Sequence, residues 1–215
     1  MSIRRVIAAA ACSVSLANAA PLAEGEITQL CAAAEDSAHC GRLIEEVQLK
    51  RLPNLVRREG KALDVSLFPD GTATFIDSDD PVNGRSYSLW DFIDGINAVV
   101  LYTSAGDSSG YVLLQRASNR RFDLPAEPRL SPDRAHLVTA DVCASRCVNE
   151  IAVWKVTRDG ILKELAWSPG AAWIDAAARW KDAGTLAIDY TTAGAAAATL
   201  ERGLSDPAWK RLPPP

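Results

Sequence analysis

The hydrophobic pattern of the chain changes near residue 59. Before that point, apolar residues recur three or four positions apart, which is the spacing of an amphipathic helix. After it, they alternate with polar residues, which is the spacing of strands covered on one face. The pattern predicts short helices over 26–35 and 41–52, with Pro53 ending the second, and β-structure over most of the remaining chain.

Turn residues divide the β region at regular intervals. Each predicted hairpin consists of two short runs joined by a turn that contains glycine. The predicted hairpins are 63–67 with 72–76, 87–93 with 96–103, 151–156 with 161–167, and 173–180 with 185–191. Asp94-Gly95 is a pair that favours a two-residue type I′ turn. A further strand is predicted over 111–116, and another over 135–142 forms an antiparallel pair with 151–156, with Cys143 and Cys147 facing each other between them. The alanine-rich stretch 193–200 fits a strand or loop, with a short helix as the alternative.

The stretch 125–156 contains the clearest motif. Ser131-Pro132-Asp133 favours a turn, because proline fixes φ and the flanking side chains bond nearby backbone amides. The segment LSPDRAHLVTA resembles the repeat of TolB-type and WD40-like β-propellers, with Arg134 at the position of the usual glycine, and IAVWKV resembles a third blade strand. The resemblance implies a mainly β, propeller-like array of antiparallel hairpins, with room for about four blades after a short N-terminal helical segment.

The first 19 residues are typical of a secretory signal peptide. Arg4 and Arg5 precede an apolar run over 6–16, and Ala17-Asn18-Ala19 is a small-x-small cleavage site. The run is too short to span a bilayer, which argues against a membrane anchor. We therefore predict a periplasmic or secreted protein. Its expected parts are a signal peptide over 1–19, a helical segment over 20–58 and a β domain over 59–212.

The charge balance bears on the partner. The chain has 23 Lys and Arg against 27 Asp and Glu, a formal net charge of −4, and loss of Arg4 and Arg5 makes it more negative. A nucleic-acid partner is not expected for an acidic chain, whereas a protein or a cell-envelope component is. The pair Arg57-Arg58 is expected on a solvated face. No motif indicates a cofactor.

Cysteine spacing agrees with export. Once Cys12 leaves with the signal peptide, Cys31, Cys40, Cys143 and Cys147 remain, as two local pairs. Three connectivities are possible, and the grouping favours Cys31 with Cys40 and Cys143 with Cys147. A metal site that combines the first pair with His39 is the alternative, but no C-x-x-C pair is present to complete a zinc site.

Other chemistry-bearing residues fit structural roles better than functional ones. His136 lies between Asp133 and Asp141, yet no G-x-S-x-G elbow accompanies it and a half-exposed strand histidine is expected. An acidic loop is expected in place of a calcium site for Asp77, Asp79, Asp80 and Asn83, which lack calcium-loop spacing. Sheet packing is expected in place of a sugar platform for the six tryptophans, Trp90, Trp154, Trp167, Trp173, Trp180 and Trp209.

Three loops are candidates for partner contact, namely 77–85, 103–110 and 144–146. Arg146 is the leading candidate, because it lies at the tip of a hairpin that the second disulfide would close. A rigid loop loses little entropy when it meets an acidic partner.

Taken together, these observations favour an exported, non-enzymatic binding or interaction module. A secreted hydrolase is the alternative from another class, and a periplasmic inhibitor or immunity protein is a third possibility. A cleft with convergent titratable groups would favour the hydrolase, whereas an exposed loop face without them would favour the binding module.

Overall fold

The computed structural model describes residues 21–80, 84–106, 108–170 and 172–213, so the predicted signal peptide lies outside the described part. The described part of the chain is mainly β, as predicted, and contains two α-helices followed by four antiparallel sheets. No helix within these ranges is long and apolar enough to cross a membrane.

Helix α1 spans Glu24–Cys31, helix α2 spans Ser37–Arg51, and a short 3-10 turn spans Asp94–Ile96. The strands are β1 Val56–Glu59, β2 Ala62–Ser66, β3 Thr72–Ile76, β4 Ser86–Ile93, β5 Ala98–Ala105, β6 Ser108–Gln115, β7 Arg120–Leu124, β8 Arg129–Leu130, β9 His136–Asp141, β10 Glu150–Thr157, β11 Gly160–Trp167, β12 Trp173–Trp180, β13 Thr185–Thr192, β14 Ala198–Gly203 and β15 Lys210–Arg211.

A side-chain cap stabilises the start of α2, and a cysteine pair links α2 to α1. The Asp36 side chain accepts a hydrogen bond from the His39 amide at 2.7 Å and caps α2. Cys31 at the end of α1 lies at disulfide distance from Cys40 in α2, with a Cα–Cα separation of 4.8 Å. Because α1 has eight residues and is marginal alone, its position depends on this link and on packing against α2.

The four sheets follow the order of the chain. The first contains β1 to β3, the second β4 to β7, the third β8 to β11, and the fourth β12 to β14. Each is an antiparallel meander, which is why the hairpins could be predicted from local turn signals. The last strand, β15, returns to pair with β11 at the edge of the third sheet.

Successive sheets pack face to face through separate apolar clusters. The first and second sheets share a cluster that includes Leu63, Phe75 and Leu101. The other face of the second sheet meets the third around Leu113 and Leu137. The third and fourth sheets pack through a cluster that includes Ile151, Val153, Leu186 and Ile188. Helix α2 packs its Ile44 against Trp90 and Val100 of the second sheet.

The first and fourth sheets turn polar faces outward. On the first sheet, the Thr74 hydroxyl donates to the Asp64 carboxylate at 2.6 Å. On the fourth sheet, the Thr199 hydroxyl donates to Asp189, which also pairs with Arg179 at 3.1 Å. These cross-strand pairs are exposed and satisfy each other, so both faces are built for contact with water.

The Ser131-Pro132-Asp133 turn forms as predicted. The Asp133 carboxylate accepts hydrogen bonds from the Ser131 hydroxyl at 2.5 Å and the Ala135 amide at 3.1 Å, and these bonds lower the pKa of Asp133. The Ser131 oxygen in turn accepts from the His136 amide at 2.9 Å. Arg134 has φ of 62°, the left-handed conformation that glycine adopts most easily.

The predicted two-residue turn at Asp94-Gly95 is wrong. The strands end at Ile93 and resume at Ala98, and the left-handed residue is Asn97, with φ of 49°. A Cβ at Gly95 would lie 3.0 Å from the Leu130 side chain. Close approach to the third sheet, and not turn geometry, therefore explains this glycine.

The sequence also misplaced several strand boundaries. Most of the predicted loop 103–110 belongs to β5 and β6, whose pairing continues to Ala105 with Ser108. Four short strands, β1, β7, β8 and β15, were not predicted. Charged pairs interrupt the hydrophobic pattern of two of them, Arg57-Arg58 in β1 and Arg120-Arg121 in β7, and the other two have only two residues each.

Candidate functional site

A cavity of about 780 Å³ opens between the N-terminal segment, the end of β4 and the connection from β7 to β9. We call it the cleft. Its apolar lining includes Pro21, Leu22, Ile27, Phe92, Ile93, Pro128 and Leu130. Its charged lining is Glu24, Asp91, Asp94, Glu127, Arg129 and Arg134. The cleft therefore joins three parts of the chain that are far apart in sequence.

A β-bulge turns Asp91 into the cleft. Leu89 pairs with Leu101 and Asp91 with Val100, so Trp90 is an extra residue on β4. The Trp90 carbonyl accepts a hydrogen bond from Gln48 of α2 at 2.7 Å. Trp90 and Asp91 both line a small cavity beside the cleft, whereas strict alternation would place them on opposite faces.

The surroundings of Asp91 disfavour its charge. Burial raises the pKa of Asp91 to about 6; the Phe92 amide lowers it, Glu127 raises it further and Arg51 lowers it. No described lysine or arginine lies within 4.0 Å of the Asp91 carboxylate, so no ion pair stabilises the anion in this part of the chain. Asp91 is thus a desolvated carboxyl group with a pKa of about 6.

Arg129 ties the two walls of the cleft together. Its guanidinium lies 2.7 Å from the Glu24 carboxylate at the start of α1 and 3.6 Å from Glu127. The Trp180 indole donates to the Arg129 carbonyl at 2.8 Å and fixes the strand beneath. The guanidinium is thus shared between two carboxylates, and it links α1 to the third sheet.

The rim of the cleft carries opposite charges. Asp94, at the start of the 3-10 turn, and Arg134, in the turn before β9, are both exposed. The backbone of Gly95, next to Asp94, lies close to the side chains of Leu130 and Arg134. Because these side chains are in water, each can reorient toward a ligand at small cost.

Arg146 is not among the residues that line the cleft. Cys143 and Cys147 are at disulfide distance, with a Cα–Cα separation of 5.6 Å, and enclose the exposed residue Arg146 at φ of 72°. Cys143 also forms an isolated bridge with Asp175 on β12. The loop is therefore attached to the fourth sheet, and the structure does not combine it with the other candidate loops.

The residues around His136 do not assemble a catalytic triad. The Nε2 atom of His136 faces Glu164 at 3.4 Å, and its ring lies 6.3 Å from that of Trp180. Asp133 is engaged in its own turn, and Asp141 accepts from the Val148 amide at 2.7 Å. Both aspartates therefore stabilise turns.

Asp77 belongs to a buried ionic cluster and not to a calcium site. Its carboxylate accepts from the Tyr87 amide at 2.8 Å and pairs with Arg42 and with Arg58, the latter at 3.2 Å. The same two arginines pair with Glu45, whose side chain is 3% exposed. The expectation of a solvated Arg57-Arg58 pair is therefore wrong for Arg58. Asn83, one of the four residues considered for a calcium site, lies outside the described residues.

The remaining candidates are structural. His39 accepts a hydrogen bond from the Glu35 amide at 3.2 Å, and its neighbour Cys40 is engaged with Cys31. Among the described residues, no group of three or more His, Cys, Asp or Glu side chains is arranged to hold a metal ion. Trp90 and Trp209 are buried, and Trp167, Trp173 and Trp180 pack against the cluster between the third and fourth sheets.

No family model matches the chain, and no curated protein or solved structure matches it either. Its resemblance to propeller repeats stays a prediction. The cleft is therefore the feature that bears on function, and the sequence did not single out its residues. One signal was present, since Trp90 directly follows Leu89 and breaks the alternation of Ser86 to Leu89, and a break of this kind accompanies bulges.

Proposed function

We propose that the protein is an exported binding module that takes its ligand in the cleft. The observation that carries this proposal is a cavity of about 780 Å³ whose walls combine apolar side chains with six charged ones. Ligand sites of proteins have this size and composition. Two cysteine pairs at disulfide distance are compatible with an oxidising compartment and support export.

We also propose a propeller-like arrangement of the four sheets. Its support is the succession of four meanders in chain order, each packed by its face on the next. In this proposal the array is open between the first and fourth sheets, because both turn exposed polar pairs outward. The binding site lies on the second and third sheets, away from that opening.

Blocking the cleft tests the binding function. Asp94→Trp places a large ring at the rim, and Asp70→Trp makes the same change on the exposed turn between β2 and β3. Each variant would be used to capture partners from the periplasm of the native host, alongside the wild-type protein. We expect Asp94→Trp to lose capture and Asp70→Trp to retain it. Equal capture by both variants would remove the cleft from the interface.

A secreted hydrolase is a second candidate, and Asp91 is the observation that favours it. A carboxyl group whose pKa burial raises to about 6, beside the second carboxyl group of Glu127, resembles the acid and base pair of glycoside hydrolysis. The cleft thus contains convergent titratable groups, which were the feature expected of an enzyme. In this candidate Asp91 donates the proton and Glu127 assists.

Hydrolysis can be tested directly with chromogenic glycosides and esters. An enzyme should turn over at least one substrate at a rate that falls as the pH rises through about 6, because the proton donor Asp91 then loses its proton, and both Asp91→Asn and Glu127→Gln should abolish this turnover. Activity that survives both substitutions would come from another site or a contaminant. Absence of turnover together with ligand binding would leave the binding module as the function.

A further inference from the structure

The cleft carries more negative than positive groups. Glu24, Asp91, Asp94 and Glu127 contribute four carboxylates, against the guanidinium groups of Arg129 and Arg134. Arg129 is already shared between Glu24 and Glu127. An incoming anion would therefore meet an excess of carboxylates, and the exposed Arg134 is the one lining cation within the described residues that no ion pair occupies.

Asp91 is a carboxyl group of this lining that has lost much of its contact with water. It has no ion-pair partner in the described chain. A buried carboxylate without a partner is costly, so natural proteins keep one mainly where a ligand or a reaction uses it. Its partner is expected to arrive from outside the chain.

Apolar side chains surround the approach to Asp91. Leu22 and Ile27 from the N-terminal segment line both the cleft and the small cavity next to Asp91. Leu130 covers the opposite wall. A ligand that reaches the carboxylate therefore has to present an apolar stem along the way, and burying that stem adds to the binding energy.

We propose that the ligand is an organic cation, a primary ammonium or guanidinium group carried on an apolar stem. The cationic group pairs with Asp91, and the stem lies between Leu22, Ile27 and Leu130. This inference rests on the proposed function, because it names the ligand class of the same cleft. A free amine and a lysine side chain of a peptide share this chemistry.

Three probes of equal length separate charge from apolar contact. Hexylammonium, hexan-1-ol and hexanoate would be titrated into the purified protein with both disulfides intact, and the backbone amide signals of Phe92 and Ile93 would be followed by NMR. We expect hexylammonium to bind about tenfold more tightly than hexanol, the effect of one modest ion pair, and hexanoate to bind most weakly. The peptide acetyl-Leu-Lys-Leu-amide then tests the second source, and tighter binding than hexylammonium would indicate a protein segment.

The pH of the titration supplies a second readout. Asp91 faces Glu127 and Arg51, with Glu24, Asp94, Arg129 and Arg134 around the same cleft. Protonation of Asp91 competes with the cation, so the affinity for hexylammonium should fall about tenfold between pH 7 and pH 5. Hexanol should show no comparable change, because it carries no charge to pair.

Asp91→Asn keeps the shape of the side chain and removes its charge. The variant should bind hexanol as the wild type does and lose both the preference for hexylammonium and its pH dependence. Asp159→Asn, in the exposed turn between β10 and β11, should leave all three affinities unchanged. Equal binding of hexylammonium and hexanol to the wild type would overturn the ligand class and leave the binding cleft standing. Failure of every probe to shift the Phe92 and Ile93 signals would overturn both.

Discussion

Two carboxylates near the contact between α2 and the second sheet have opposite surroundings, the buried Glu45 and the half-buried Asp91. Glu45 of α2 receives Arg42 at 3.0 Å, Arg58 at 2.8 Å and the Leu89 amide at 2.8 Å. Asp91, on the same strand as Leu89, has no ion-pair partner among the described residues, and burial raises its pKa. Glu45 is therefore a carboxylate that stabilises the fold, whereas Asp91 has no such structural role in these contacts.

The largest effect is expected from Glu45. Glu45→Gln leaves Arg42 and Arg58 without their main partner in a buried site, so unfolding free energy should fall by about 3–5 kcal/mol. Denaturant unfolding at pH 7 measures the change. Glu46→Gln, the exposed neighbour on the same helix, serves as the control and should stay within about 0.5 kcal/mol. A small loss at Glu45 would mean that Asp77 alone satisfies the two arginines.

Asp91 should respond in the opposite direction. Because its folded pKa of about 6 lies above the ordinary value of 3.8, the folded state favours the protonated form, and stability falls as pH rises between these values. Asp91→Asn should therefore stabilise the protein by about 2 kcal/mol at pH 7 and by little at pH 4. Thermal unfolding of both proteins across this range measures the difference. A destabilised variant at pH 7 would show that the carboxylate has a structural partner.

Removal of the second cysteine pair gives a reference value for both stability changes, because Cys143 and Cys147 contact neither Glu45 nor Asp91. Replacing Cys143 and Cys147 together by serine removes a cross-link that encloses few residues, so the loss should be about 2 kcal/mol without loss of the fold. Non-reduced peptide mapping should find Cys31 joined to Cys40 and Cys143 to Cys147 in the wild type. Free thiols in exported protein would contradict the compartment inferred from the cysteines.

Substitution of Arg146 should have the smallest effect on stability. It also tests whether the partner contacts residues outside the cleft. Arg146→Ala keeps an L-residue at φ of 72°, so stability should change by no more than about 0.5 kcal/mol. Partner capture from the host periplasm should weaken if the disulfide-closed loop takes part in binding. Unchanged capture would confine the interface to the cleft, and a large loss of stability would make Arg146 structural.

Local signals explain how much of this fold was predictable. Ser131 and Asp133 form their turn through bonds spanning no more than five residues, so the sequence identified it. Asp94-Gly95 also had the composition of a turn, but the conformation there depends on contact between Gly95 and the third sheet. A pattern within one segment does not contain such distant contacts.

The cleft was not predictable for the same reason. Asp91 reaches it through a bulge at Trp90 whose carbonyl meets Gln48 of α2, and Glu127 reaches it from the connection after β7. Each residue alone has the composition of an ordinary strand or loop. Their proximity follows from how the second sheet, the third sheet and α1 pack together, which hydrophobic periodicity does not encode.

The polar outer faces of the first and fourth sheets limit the length of the array. A fifth sheet added at either end would have to cover Asp64 with Thr74, or Arg179 with Asp189, and would bury charged groups against an apolar neighbour. A further sheet would therefore have to enter between two sheets that already offer apolar faces. Stacked folds need polar outer faces on their terminal units to stay in solution, and the outer faces of the first and fourth sheets have this character.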